Sequence, residues 1–72
     1  AKEALLDAKK LFESINDKLG QANVNKELGF LYKETNDKAR AKSHYFDAKT
    51  FYDDMQEISQ SQKCVEEIID LE

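Results

Sequence analysis

Apolar residues recur at intervals of three and four along most of the chain, the spacing of one face of a helix. Ala4, Leu5, Ala8, Leu11, Phe12, Ile15 and Leu19 form a first stripe. It predicts a helix over residues 2–19, with Gly20 as its terminator. Ala22, Leu28, Leu31 and Tyr32, with Val24 and Phe30 at the edges, predict a second helix over 21–34, weakened by Asn23, Asn25 and Gly29. Thr35, Asn36 and Asp37 can each cap a helix start, so a short turn should lead into an antiparallel third helix over 37–58. There Ala41, Tyr45, Ala48, Tyr52 and Met55 form the strongest period in the chain. Ser59 followed by Gln62 has the form of a capping box, which predicts a fourth helix over 60–71 carrying Cys64, Val65, Ile68, Ile69 and Leu71. The expected fold is all-α, built from antiparallel helix pairs.

Composition strengthens this pattern and narrows the function. The chain has 72 residues, no Pro and only two Gly, so helix propensity is high almost throughout. A chain this short hides only about 60% of its unfolded surface, which leaves room for one domain and little for an enclosed active site. No run approaches the roughly 20 apolar residues that a membrane span requires, and the charged start AKEALLDAKKLF is unlike a signal peptide, so neither a membrane partner nor secretion is expected. A single Cys forms no disulfide framework and no thiolate cluster for zinc, which favours a reducing, cytoplasmic setting. The net charge of -4 and a sequence pI near 5.0 argue against nucleic acid as a partner.

Sliding the chain by forty residues places Ala8, Leu11, Phe12 and Ile15 over Ala48, Phe51, Tyr52 and Met55. The match continues with Val24 over Cys64, Leu28 over Ile68 and Leu31 over Leu71. In the middle of the chain, Leu28, Gly29 and Tyr32 followed by Ala41, Tyr45 and Ala48 resemble the tetratricopeptide repeat, whose outline is W-x2-L-G-x2-Y and then A-x3-F. Asn25 stands where that outline has Trp, and Asp53 where it expects Pro. The resemblance spans residues 22–54, flanked by half repeats, and implies an α-solenoid fragment: one helical repeat domain over 1–72, or part of a larger one. The same residues have a direct physical reading. Gly29 and Ala41 allow close helix approach, while Tyr32 and Tyr45 fill the wider gaps. An ordinary helical hairpin or small bundle is the alternative.

The search for chemistry returns little. One His, one Cys and no strained nucleophile turn make a poor catalytic inventory. His44 reads as a surface or partly buried side chain and Cys64 as a small core residue. Asp53-Asp54 and Glu66-Glu67 are adjacent on their helices and so diverge. No metal-ligand spacing and no phosphate loop can be assembled, so no metal and no cofactor are expected. The basic group Lys33, Lys38, Arg40, Lys42 and Lys49 contrasts with the acidic tail Glu66, Glu67, Asp70 and Glu72, and reads as a solvated face or a contact for an acidic protein partner.

What the resemblance implies is binding without catalysis. In the family the first helix of each pair lines a concave groove that holds a peptide or helix of a partner. The positions so carried over are Asn23, Lys26, Phe30, Lys33 and Glu34. Phe30 stands either as an anchor for a partner side chain or as packing on a neighbouring helix edge. Asn23 would grip peptide backbone, and Lys26 and Lys33 would meet carboxylates. The competing reading is a structural segment that pairs with itself or with the remainder of a longer chain, since arrays normally need about three repeats.

Overall fold

The computed structural model describes residues 2–72, and those residues form four helices and no strand. They are α1 (Lys2–Ser14), α2 (Lys18–Glu34), α3 (Lys38–Asp54) and α4 (Ile58–Asp70). Each helix packs on the next in sequence: α1 on α2, α2 on α3, α3 on α4. Because short turns reverse the chain each time, consecutive helices are antiparallel, and α2 runs parallel to α4. The result is a slab with extents of 33 × 29 × 13 Å.

The helix boundaries at the first and third turns differ from the sequence expectation, the second turn falls where expected, and one device builds all three. Asn16, Asn36 and Gln56 adopt positive φ of 61°, 65° and 61°, a spacing of twenty residues in each case. A single left-handed residue after a helix lets the chain fold back and satisfy its last carbonyls. The N–H groups of Asp17, Asp37 and Glu57 donate to the carbonyls of Phe12, Tyr32 and Tyr52 at 2.9, 2.8 and 2.8 Å. The residue that closes one helix also opens the next. Asp17 accepts from the Gly20 N–H at 3.0 Å and Asp37 from the Arg40 N–H at 3.2 Å. Glu57 holds the same place without a side-chain cap bond.

The first helix therefore stops at Ser14, not near residue 19, and Gly20 does not terminate it. Gly20 lies buried in the first turn of α2, where a Cβ would overlap the Phe12 ring. The third helix stops at Asp54, not at 58, and the fourth starts at Ile58. Ser59 and Gln62 form no capping box. Ser61 is instead buried, donating its hydroxyl to the Asp53 carboxylate across the α3–α4 turn. The apolar period runs on through these turns because Ile15 and Met55 keep the spacing just before the reversals, although only Met55 packs against the core and Ile15 is 60% exposed.

The core is small and aromatic. Ala22, Leu28 and Tyr32 of α2 meet Ala41, Tyr45, Ala48 and Tyr52 of α3, and Cys64 and Leu71 extend the cluster through α4. Gly29 is buried beside Tyr45, and a Cβ there would lie 2.9 Å from the ring carbons. A polar seam runs beside this packing. The Asn25 amide is buried, with Nδ2 donating to the Gln21 carbonyl at 2.9 Å. Its Oδ1 then faces His44 Nδ1 at 3.0 Å, so Nδ1 is the protonated nitrogen that donates. The His44 ring also stacks on Tyr32, with centroids 5.3 Å apart and planes 8° from parallel. The first helix contributes less than its stripe suggested. Leu11, Ile15 and Leu19 are all more than half exposed.

Candidate binding groove

An open groove of about 620 Å³ lies between α2 and α4. Its floor is apolar, made by Leu5 of α1, Leu31 of α2, Tyr45 of α3 and Cys64 of α4. Its rim carries Lys26, Glu27 and Phe30 from α2 and Lys63, Glu66 and Glu67 from α4. The arrangement follows from helix period. Leu28 and Tyr32 turn one face of α2 into the core, which leaves Lys26 and Phe30 on the side toward α4.

Two polar links span the groove between the parallel helices. Lys26 Nζ donates to Gln60 Oε1 at 3.4 Å, and Lys33 Nζ to Glu67 Oε2 at 2.9 Å. Each joins residues thirty-four apart, so they sit in register with Phe30 and Lys63 between them. The Glu67 carboxylate, by hydrogen bond and by charge, holds the Lys33 ammonium above its usual pKa. On the floor, burial pushes the Tyr45 phenol up to about 12, with Glu67 and Cys64 adding to it. Burial likewise pushes the Cys64 thiol up, with Lys26 opposing. A thiol kept protonated is a packing group and a poor nucleophile.

The carried-over residues separate on this geometry. Lys26 and Phe30 line the groove, and Phe30 is 56% exposed, so its ring does not pack away on a helix edge. Lys33 closes one end but is already paired with Glu67, so a partner carboxylate would have to compete with that bond. Asn23 lies outside the groove lining and accepts from the Tyr52 hydroxyl at the α2–α3 joint. Glu34 is exposed and also outside the lining. Leu28, Gly29, Tyr32, Ala41, Tyr45 and Ala48 are all buried, and of these Tyr45 reaches the groove floor.

Half of the groove wall was missed from the sequence. Glu66 and Glu67 fall on Lys26 and Glu27 in the forty-residue register, so the offset already pointed to α4 as the second wall. The basic group is less available than its count suggests. Lys33 pairs with Glu67, Arg40 with Asp37, Lys42 with Glu72 and Lys49 with Asp53, at 2.9, 3.6, 3.1 and 2.7 Å. Four of its five cations thus have carboxylate neighbours within the chain.

Among the described residues no group of three or more His, Cys, Asp or Glu is placed to hold a metal ion. No helix among them is long and apolar enough to cross a membrane. Compared with known proteins, the chain matches no family model, no curated protein and no solved structure at a significant level.

Proposed function

We propose that this chain is a non-catalytic protein-protein interaction module that takes a peptide or helix of a partner into the groove between α2 and α4. The observation that carries the reading is Phe30, a large aromatic ring left 56% exposed on the rim of a groove with an apolar floor. Aromatic side chains beside desolvated pockets are where binding energy concentrates at interfaces. The mixed rim, with Lys26 and Lys63 beside Glu27 and Glu66, suits a partner segment that is apolar along one side and charged along its edges.

The tetratricopeptide-like reading of residues 22–54 supports the same function, because that architecture presents a groove of this kind. The lone Cys64 is free, which agrees with a cytoplasmic setting. A structural or self-associating segment of a larger scaffold is the second reading, favoured by the exposed apolar residues at the two ends of the stack, Leu11 and Ile15 at one and Ile58 and Ile69 at the other.

The test is selection of peptides from a random display library on the immobilised chain. Enriched peptides should lose at least about tenfold in affinity, or about 1.4 kcal/mol, for Phe30→Ala. Absence of enrichment, or peptides indifferent to Phe30→Ala, would remove the groove reading.

A further inference from the structure

The two helices α1 and α4 each carry an apolar stripe that nothing among the described residues covers. On α4, Ile58 and Ile69 are 57% and 62% exposed, and half-buried Val65 lies between them on the same face. On α1, Leu11 and the following turn residue Ile15 are 58% and 60% exposed, with exposed Ala4 two helical turns before Leu11 on the same side. Ala4, Leu11, Ile15, Ile58, Val65 and Ile69 all lie outside the groove between α2 and α4, and only half-buried Leu5, beside Ala4, also reaches the groove floor.

The internal register says what these stripes are shaped for. Shifting by forty residues places Val65 and Ile69 of α4 on Asn25 and Gly29 of α2. Those are the α2 residues that face α3, Asn25 bonded to His44 and Gly29 against Tyr45. The same shift places Ala4 and Leu5 of α1 on His44 and Tyr45 of α3, and Leu11 and Ile15 on Phe51 and Met55, which pack against the core. So α4 presents the face that α2 uses, and α1 presents the face that α3 uses.

The residues at the two free faces differ from those of the α2–α3 interface in a matched way. The polar pair Asn25 and His44 corresponds to the apolar pair Val65 and Ala4. The small-large pair Gly29 and Tyr45 corresponds to Ile69 and Leu5, two side chains of middle size. Either change alone would be mismatched against the other helix's original partner: an Ile in place of Gly29 would overlap the Tyr45 ring, and an Ala in place of His44 would leave the buried Asn25 oxygen without its donor. Together they make an apolar, sterically compensated contact.

We propose that a second copy of this chain docks head to tail, its α1 seated on α4 in the register that α3 takes on α2. The contact continues the α2–α3 interface already present within the chain. In this antiparallel placement Ile69 meets Ala4 and Leu5, and Ile58 meets the Leu11 and Ile15 end. The two faces are not the same patch, so a head-to-tail dimer keeps one free face of each kind and association continues beyond it, ending only where a ring closes, unlike a closed two-fold dimer.

Sedimentation velocity from micromolar to millimolar chain tests this, with Ile69→Lys blocking the tail and Leu11→Lys blocking the head. The unmodified chain should rise in mean mass with concentration beyond a dimer. Each variant alone should be monomeric, whereas an equimolar mixture should form one heterodimer and stop, because a single good pair of faces remains. Circular dichroism checks that the variants fold, and Ile58→Lys with Ile15→Lys repeats the test at other exposed positions. A monomeric unmodified chain at all concentrations overturns the proposal and assigns the stripes to another segment or partner. Loss of association in the tail variant alone, with the head variant unaffected, overturns it in favour of a symmetric α4 contact. Phe30→Ala should leave the mass distribution unchanged; a change would place the contact in the groove and overturn the proposal too.

Discussion

Tyr45 of α3 lies against Gly29 of α2 so closely that a Cβ on Gly29 would stand 2.9 Å from three of its ring carbons. Real Cβ atoms do not approach that far, so the glycine sets how near the two helices come. A fully buried Leu28 and a Tyr45 only 2% exposed depend on this approach.

Gly29→Leu should therefore destabilise the chain by about 1–3 kcal/mol, the usual cost of overpacking a filled site. Gly29→Ala combines a smaller displacement of the Tyr45 ring with a helix-propensity gain of about 1 kcal/mol, so its net effect should be much smaller. Urea unfolding of both variants checks the order, and a Leu variant as stable as the unmodified chain would show that Tyr45 is free to move aside.

The three turns should differ in how far they can be improved. A left-handed backbone costs an ordinary residue about 1–2 kcal/mol, less for Asn, whose short polar side chain tolerates it, than for Gln. Gln56→Gly should stabilise by about 0.5–1 kcal/mol, and Asn36→Gly by less, after allowance for the extra freedom of glycine in the unfolded chain. Thermal unfolding midpoints of the two variants give the comparison.

The caps yield an independent prediction at neighbouring positions. Asp37 accepts the Arg40 N–H, so Asp37→Ala should cost about 1 kcal/mol. Glu57 makes no side-chain cap bond, so Glu57→Ala should change stability by less than half as much. Glu57→Asp, which shortens the side chain to the length that works at Asp17 and Asp37, should be stabilising in the same denaturation series.

Acid should weaken the α2–α3 joint in a window set by His44. Burial first, then the Lys9 ammonium and Arg40, hold its imidazole below the usual 6.5 against the opposing pull of Asp47. Just below 6.5 the unfolded chain binds the proton more readily than the folded one. Stability from this residue is thus present above 6.5 and lost as pH falls through the depressed folded value. Asp53 acts in a lower window. Hydrogen bonds from Lys49 and Ser61 hold its carboxyl below 3.8, so its contribution is lost only as pH falls below that value. Unfolding free energies measured between 6.5 and 3.8 should fall in the unmodified chain and fall less steeply in His44→Gln.

Phe30→Ala should leave the unfolding free energy within about 0.5 kcal/mol, as expected for an exposed position, while Leu28→Ala should cost about 2–5 kcal/mol. A large loss of stability from Phe30→Ala would mean that its ring serves packing, and the groove would lose its anchor.

How much of this was legible in the sequence differs from residue to residue. The four-helix, all-α architecture was readable because apolar spacing acts locally: Ala41, Tyr45, Ala48 and Tyr52 face one side of α3 whatever packs there, and all four are buried. The forty-residue offset was readable too. The helix ends were not, because a stripe of Leu11, Ile15 and Leu19 looks the same whether it crosses a turn or continues a helix. What ended α1 was the left-handed Asn16 with Asp17 capping α2, one of two local hydrogen-bond schemes open to the same residues.

Local order alone thus determined that this chain is helical, where its strongest faces lie and that its two halves echo each other. Only the tertiary structure decided which of the apolar and charged residues are left over. Phe30 was set at the edge of its stripe by spacing, but that it stands 56% exposed on the rim of an open groove follows from how far apart α2 and α4 lie. Ile69 carries no sequence mark that separates it from Ile68, and it is exposed because no helix among the described residues covers that side of α4. Lys33 looked free until α4, thirty-four residues away, brought Glu67 to it. Burial and pairing are properties of what the fold brings near, and that depends on contacts between distant residues that no local spacing encodes.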